Sequence, residues 1–78
     1  MEFFKKRIRQ YQEKKLGEIL SKIQFHENMK KQLEIKIQGL TDDEVIKVRD
    51  EISFNEKMIE IWQRNEGKLR SQMHEMED

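Results

Sequence analysis

The chain has 78 residues, a formal net charge of zero, no cysteine and no proline, and 41% of its residues are charged. This length allows one domain with a small core, and the lack of cysteine excludes a disulfide framework and a thiolate metal site. Because no apolar run is longer than two residues, we expect neither a signal peptide nor a membrane span, and a cytoplasmic location.

The first predicted helix extends from about Glu2 to Gln38. Glu, Lys, Arg, Ile and Leu are abundant and the apolar residues recur regularly, which favours long helices over disorder although the mean hydropathy is −1.03. Three successive steps of four residues, from Tyr11 to Ile23, predict a local unwinding of the supercoil. The predicted core stripe comprises Phe4, Ile8, Tyr11, Lys15, Ile19, Ile23, His26, Lys30, Leu33 and Ile37.

Next in the chain, a stop signal for this helix is followed at once by a start signal for another. Gly39 can adopt the left-handed conformation that closes a helix. Thr41 is a favourable N-cap, and Glu44 three residues later completes a capping box. The sequence therefore predicts a tight reversal at residues 39–41.

The second predicted helix extends from about Asp42 to about Met76 and has the more regular pattern. Its stripe alternates steps of three and four residues, which is typical of a heptad repeat in a coiled coil. The fold prediction is an all-α antiparallel coiled-coil hairpin. The stripe comprises Val45, Val48, Ile52, Asn55, Ile59, Trp62, Glu66, Leu69, Met73 and Met76.

Folding the chain at the predicted turn places polar residues of the two stripes opposite each other. His26 then faces Asn55, and Lys15 faces Glu66. An unpaired polar group in such a seam costs roughly 1–3 kcal/mol, so this coincidence supports the register. We expect both layers to set register and orientation, with a ligand-binding or proton-handling role for His26 as the alternative.

Several apolar residues lie outside the stripe, on one flank of each helix. Phe54, Met58 and Ile61 follow helical spacing, and Phe25 and Met29 lie on a similar flank of the first helix. A core of two helices is marginal by itself. We therefore expect two hairpins to form a homodimeric four-helix bundle. The alternatives are a different protein on the same flank, or scattered surface residues without a role.

Residues 1–15 contain six basic and two acidic side chains, a net charge of +4. Cations at the start of a helix oppose its dipole, so helix stability does not explain them. The simplest interpretation is that they neutralise the acidic end of the second helix, which a hairpin brings alongside. Those acidic residues are Glu75, Glu77 and Asp78.

Two binding roles are the alternatives for this basic segment. One is contact with nucleic-acid phosphates by Lys5, Lys6, Arg7 and Arg9. The other is a helix lying on a membrane surface, with one apolar face. That face would comprise Phe3, Phe4, Ile8 and Tyr11.

The chain lacks the residue patterns of an enzyme. There is no cysteine nucleophile, no glycine-rich phosphate loop and no carboxylate pair in a predictable pocket. His74 with Glu75 and Glu77 lacks the spacing of a helical metal site. We therefore predict no enzymatic activity, cofactor or metal, and a small protein-protein interaction module such as an adaptor, inhibitor, or assembly or regulatory protein.

The turn and the start of the second helix resemble one known family. The run from Gly39 to Lys47 is similar to the hairpin of the small sporulation-type aspartyl-phosphate phosphatases. Those proteins carry the motif Ser-Gln-Glu-Leu-Asp early in the second helix, of which only the glutamate is matched in this chain. The resemblance implies a phosphatase-like regulator, which ranks third after the interaction module and the nucleic-acid binder. The corresponding positions are Arg49, Asp50, Glu51, Ile52 and Ser53.

Overall fold

A computed structural model describes residues 2–76, which form two long antiparallel α-helices joined by a short turn. Helix α1 extends over Glu2–Lys36, a 3-10 turn over Ile37–Gly39 and helix α2 over Asp42–Glu75. The result is a rod of 62 × 14 × 12 Å. The predicted all-α hairpin is confirmed, and α1 ends before Gln38 because its last residues tighten into the 3-10 turn.

The reversal between the helices uses no left-handed residue. The backbone N–H of Leu40 donates to the carbonyl oxygen of Ile37 at 3.3 Å, and Leu40 itself is extended at φ −99° and ψ 157°. Within residues 2–76 neither a glycine nor any other residue has a positive φ. The prediction of a left-handed Gly39 is therefore wrong, because the 3-10 turn followed by an extended residue already redirects the chain.

The start of α2 is capped as the sequence predicts. Thr41 is the N-cap and forms the capping box with Glu44. The backbone N–H of Thr41 donates to Glu44 Oε2 at 3.4 Å, which gives one of the otherwise unpaired groups at the junction a partner. Asp42 and Asp43 add negative charge at the positive end of the α2 dipole.

The core of the hairpin is a single seam between the helices. Its buried apolar side chains are Ile19, Ile23, Leu33 and Val48. None of the residues 2–76 has a side chain that is completely enclosed, because each helix has only one neighbour. In α2 the predicted stripe is confirmed: each of its positions, from Val45 to Met76, is buried or half-buried.

In α1 the seam differs from the predicted stripe over its first half. Gln12 and Leu16 occupy it, whereas Tyr11 is 62% exposed and Lys15 is exposed. The observed positions alternate steps of three and four throughout, so the three successive steps of four that predicted a local unwinding are absent from the seam. The regular heptad of α2 requires the same period from α1, because the two helices must stay in contact along their length. The α1 seam comprises Gln12, Leu16, Ile19, Ile23, His26, Lys30, Leu33 and Ile37.

The seam positions of α1 do not include the apolar residues near the start of that helix. Phe4 is 60% exposed and Ile8 is 42% exposed, so their predicted places in the core are wrong. Steps of three and four carried back from Gln12 reach Arg9 and Lys5 instead. Arg9 and Lys5 are exposed, as is every other residue within 2–11, so the buried part of the α1 seam begins at Gln12 and the apolar residues before it remain accessible.

Replacing Leu33 with alanine is expected to lower the free energy of unfolding by about 2–3 kcal/mol, because it removes a buried seam side chain. The matched control is Ile35→Ala, at a position that is 71% exposed, where a change below about 0.5 kcal/mol is expected. Thermal or urea denaturation at one fixed protein concentration measures both. Equal effects at the two positions would contradict the observed seam.

Replacing Gly39 with alanine is expected to stabilise the hairpin by about 0.4–1 kcal/mol, because a negative φ suits alanine and the unfolded chain loses freedom. An added Cβ at Gly39 meets no atom within 4 Å. The control is Gly67→Ala, inside α2 with the same open space around an added Cβ. It should raise the free energy of unfolding by about 1 kcal/mol. Marked destabilisation by Gly39→Ala alone would indicate a left-handed Gly39.

Candidate functional site

The polar layer at the centre of the rod is hydrogen-bonded across the seam. His26 Nδ1 lies 2.8 Å from Asn55 Oδ1. The Asn55 Nδ2 group donates to the backbone carbonyl of Glu51 at 2.9 Å, so the Asn55 oxygen accepts and His26 carries its proton on Nδ1. The structure thus brings together the predicted pair His26 and Asn55, and Asn55 is buried with both ends of its amide bonded.

The second predicted polar layer is not formed. Lys15 Nζ lies 4.0 Å from Glu18 Oε2, while Arg70 Nε donates to Glu66 Oε2 at 2.8 Å. Both ion pairs lie within one helix. The predicted pairing of Lys15 with Glu66 is wrong because Leu16 takes the seam position and turns Lys15 to the outside.

The five apolar residues predicted outside the core lie together on one side of the hairpin. Each directly precedes a seam residue in sequence, and in an antiparallel pair such positions of both helices share a side. The His26 ring joins them, with ring centroids 5.2 Å from Phe25 and 6.4 Å from Phe54. We call this set the apolar flank; it comprises Phe25, Met29, Phe54, Met58 and Ile61.

The side chains of the apolar flank remain accessible in the hairpin. Phe25 is 59% and Phe54 is 58% exposed, and Ile61 is also exposed. Met29 and Met58 are half-buried beside the seam. Aromatic residues and methionine are enriched in protein interfaces. The flank is therefore a contiguous apolar surface that crosses both helices.

A cleft of about 430 Å³ adjoins the flank on the same side. Lys22 Nζ lies 4.3 Å from the centroid of the Trp62 ring, and Trp62 Nε1 is buried without a hydrogen-bond partner. Neither Lys22 nor this contact of Trp62 is among the features that the sequence pattern predicts. Charged residues of α1 at the cleft separate the flank from the apolar residues of the open end; they are Lys15, Glu18 and Lys22.

The open end of the hairpin carries the predicted basic residues. Lys5, Lys6, Arg7 and Arg9 are all exposed, and the Arg7 guanidinium lies 5.8 Å from the centroid of the Phe3 ring. Each ion pair found within residues 2–76 joins two residues of the same helix. The proposed neutralising residues Glu77 and Asp78 lie outside the described residues.

The positions of residues 2–76 add no support for the other sites considered from the sequence. Among residues 2–76, no three carboxylate or imidazole groups come together in a way that could hold a metal ion. Neither helix contains, in the described range, a segment long and apolar enough to cross a bilayer. Glu51 is the residue that matches the glutamate of the phosphatase motif. Its backbone carbonyl oxygen accepts the hydrogen bond from Asn55 Nδ2.

The chain matches none of the protein-family models, curated proteins or solved structures with which it was compared. The surfaces of the hairpin itself are therefore the basis for a functional proposal.

A double-mutant cycle on His26→Ala and Asn55→Ala should give a coupling energy of about 1 kcal/mol, because the two side chains share a hydrogen bond across the seam. Chemical denaturation of the two single variants and the double variant measures it. Asn55→Ala combined with Gln24→Ala, an exposed residue, is the control and should be additive within about 0.5 kcal/mol. Additivity of the His26 and Asn55 changes would contradict the bond.

Proposed function

We propose that this chain is a small, non-enzymatic protein-protein interaction module that acts through its apolar flank, as an adaptor, an inhibitor, or an assembly or regulatory protein. The observation that supports the proposal is the exposure of Phe25 and Phe54, one on each helix, with both rings next to the ring of His26. A partner that covers them gains hydrophobic free energy without first having to unfold or rearrange the hairpin.

The thin core supports the same proposal. With one neighbour per helix, no side chain among residues 2–76 is fully enclosed. A helix packed on the flank would contact both α1 and α2 and give the half-buried Met29 and Met58 a second layer of apolar atoms. Helix docking on an apolar face is therefore the expected mode of binding.

The first partner that we propose is a second copy of the chain. A twofold axis places the flank of one hairpin against the same flank of the other, so apolar residues meet apolar residues from both sides. Four helices then surround one core, as in a four-helix bundle. A different helical protein on the same flank is the competing occupant.

Light scattering during size-exclusion chromatography tests the dimer. At micromolar concentration the unchanged chain should elute as a dimer, and Phe25→Ser with Phe54→Ser should elute as a helical monomer, because the flank is lost and the seam is kept. Ile35→Ser with Ile46→Ser is the matched control, since these residues are 71% and 64% exposed but lie off the flank. The control should remain dimeric.

Other results would contradict the proposal in specific ways. A monomeric unchanged chain would remove the second copy as the occupant. If the variant without both phenylalanines remained a dimer, the dimer interface would lie elsewhere than on the flank. Circular dichroism of each variant distinguishes loss of association from loss of helix. A melting temperature that rises with protein concentration in the unchanged chain but not in the Phe25/Phe54 variant gives a second readout.

A further inference from the structure

We propose that residues 3–15 of α1 form a docking site for the surface of an anionic lipid bilayer. This site is separate from the apolar flank and does not depend on the proposed dimer. It rests on the observed frame of α1, which excludes from the core the residues that the sequence pattern assigned to it. Phe4, Ile8 and Tyr11 consequently form an exposed stripe on one side of α1.

The stripe is narrow and continuous. Its three residues follow steps of four and three, so they lie above one another along about 10 Å of helix. Phe3 lies beside Phe4 with its ring edge towards it, at 5.8 Å between centroids. Two aromatic rings and an isoleucine at adjacent positions are apolar groups that enter the boundary between headgroups and acyl chains.

Cations lie along both edges of the stripe. At about 100° per residue, Arg7 and Lys14 lie along one edge and Lys5 along the other. Their long side chains can reach anionic headgroups while the stripe enters the apolar layer. Within residues 3–15 the sequence has one acidic residue, Glu13; α2 ends at Glu75, which Glu77 and Asp78 follow in the sequence.

The combination of stripe and cations favours a membrane surface over a nucleic acid. Phosphates of a nucleic acid would contact the same cations but would leave Ile8 and much of Phe4 in water. An anionic bilayer uses both sets of groups at once. Glu18 and Lys22, two charged residues at the cleft, lie between this site and the apolar flank.

Co-sedimentation with vesicles tests the proposal with the full chain. Vesicles of phosphatidylcholine alone should leave it in solution, and vesicles that also contain phosphatidylglycerol should sediment it. Phe4→Ser with Ile8→Ser should weaken partitioning about tenfold, because the apolar contribution is lost. Arg7→Glu with Lys14→Glu should weaken it at least about 30-fold, since each cation contributes a factor of about five.

Two matched control variants test whether the place of the substituted residues matters, and not only their type. Ile35→Ser with Ile46→Ser removes exposed apolar side chains elsewhere, and Lys31→Glu with Lys57→Glu reverses two exposed cations elsewhere. Both should bind the anionic vesicles as the unchanged chain does. The variant Phe25→Ser with Phe54→Ser should also still bind, so failure of the proposed dimer would not be mistaken for failure of this site. Circular dichroism should show unchanged helix content, because none of the substituted side chains is buried.

Three results would overturn the proposal. The first is the absence of sedimentation with anionic vesicles. The second is binding that Phe4→Ser with Ile8→Ser leaves unchanged, which would reduce the interaction to non-specific charge attraction. The third is binding of single-stranded or duplex DNA that needs Arg7 and Lys14 but not Phe4 and Ile8, in a chain that ignores vesicles. That outcome would assign the segment to nucleic acid.

Discussion

The heptad seam between two antiparallel helices is the constraint on which the rest of this structure depends. An isolated helix of this composition has little to hold it, and most helical stability comes from packing one face against a neighbour. Here the neighbour is the other half of the same chain, so every seam residue of α1 must follow the period that α2 presents. The hydrogen bond between His26 and the buried Asn55 marks one register along the rod and penalises shifted alternatives that would leave Asn55 unpaired.

The same constraint determines which apolar residues remain outside. A two-helix seam has room for one stripe per helix, and the chain has more apolar residues than that. Most of the surplus lies in two separate places on one side of the hairpin, while Leu20, Ile35 and Ile46 are exposed elsewhere. The apolar flank in the middle spans both helices and suits a helical partner, whereas the stripe at the open end lies on α1 alone among cations and suits an anionic surface. Both proposed binding surfaces exist because a rod of two helices is too thin to bury all of its apolar side chains.

The seam positions that the sequence predicts correctly and those that it predicts wrongly have a common physical origin. The sequence predicts every position of the α2 stripe because the strict alternation of three and four residues allows one frame. In α1 two frames compete between Tyr11 and Ile19, one through Lys15 and the other through Leu16. The predicted stripe follows the frame through Lys15, whereas the continuous frame through Gln12 and Leu16 is observed. The regular spacing of α2 is the signal that identifies the observed frame of α1, because the two helices must stay in contact along their length.

The chain's own sequence determined the helical hairpin, the position of its turn, the capping of α2 and the meeting of His26 with Asn55. These depend on local chemistry and on spacing within one helix, which a sequence displays directly. Tertiary structure alone decided that Gly39 has a negative φ, that Leu16 displaces Lys15 from the seam and that Phe4, Ile8 and Tyr11 face outwards. The reason is that a helix can present any of its faces, and only contact with the second helix selects the one that is buried.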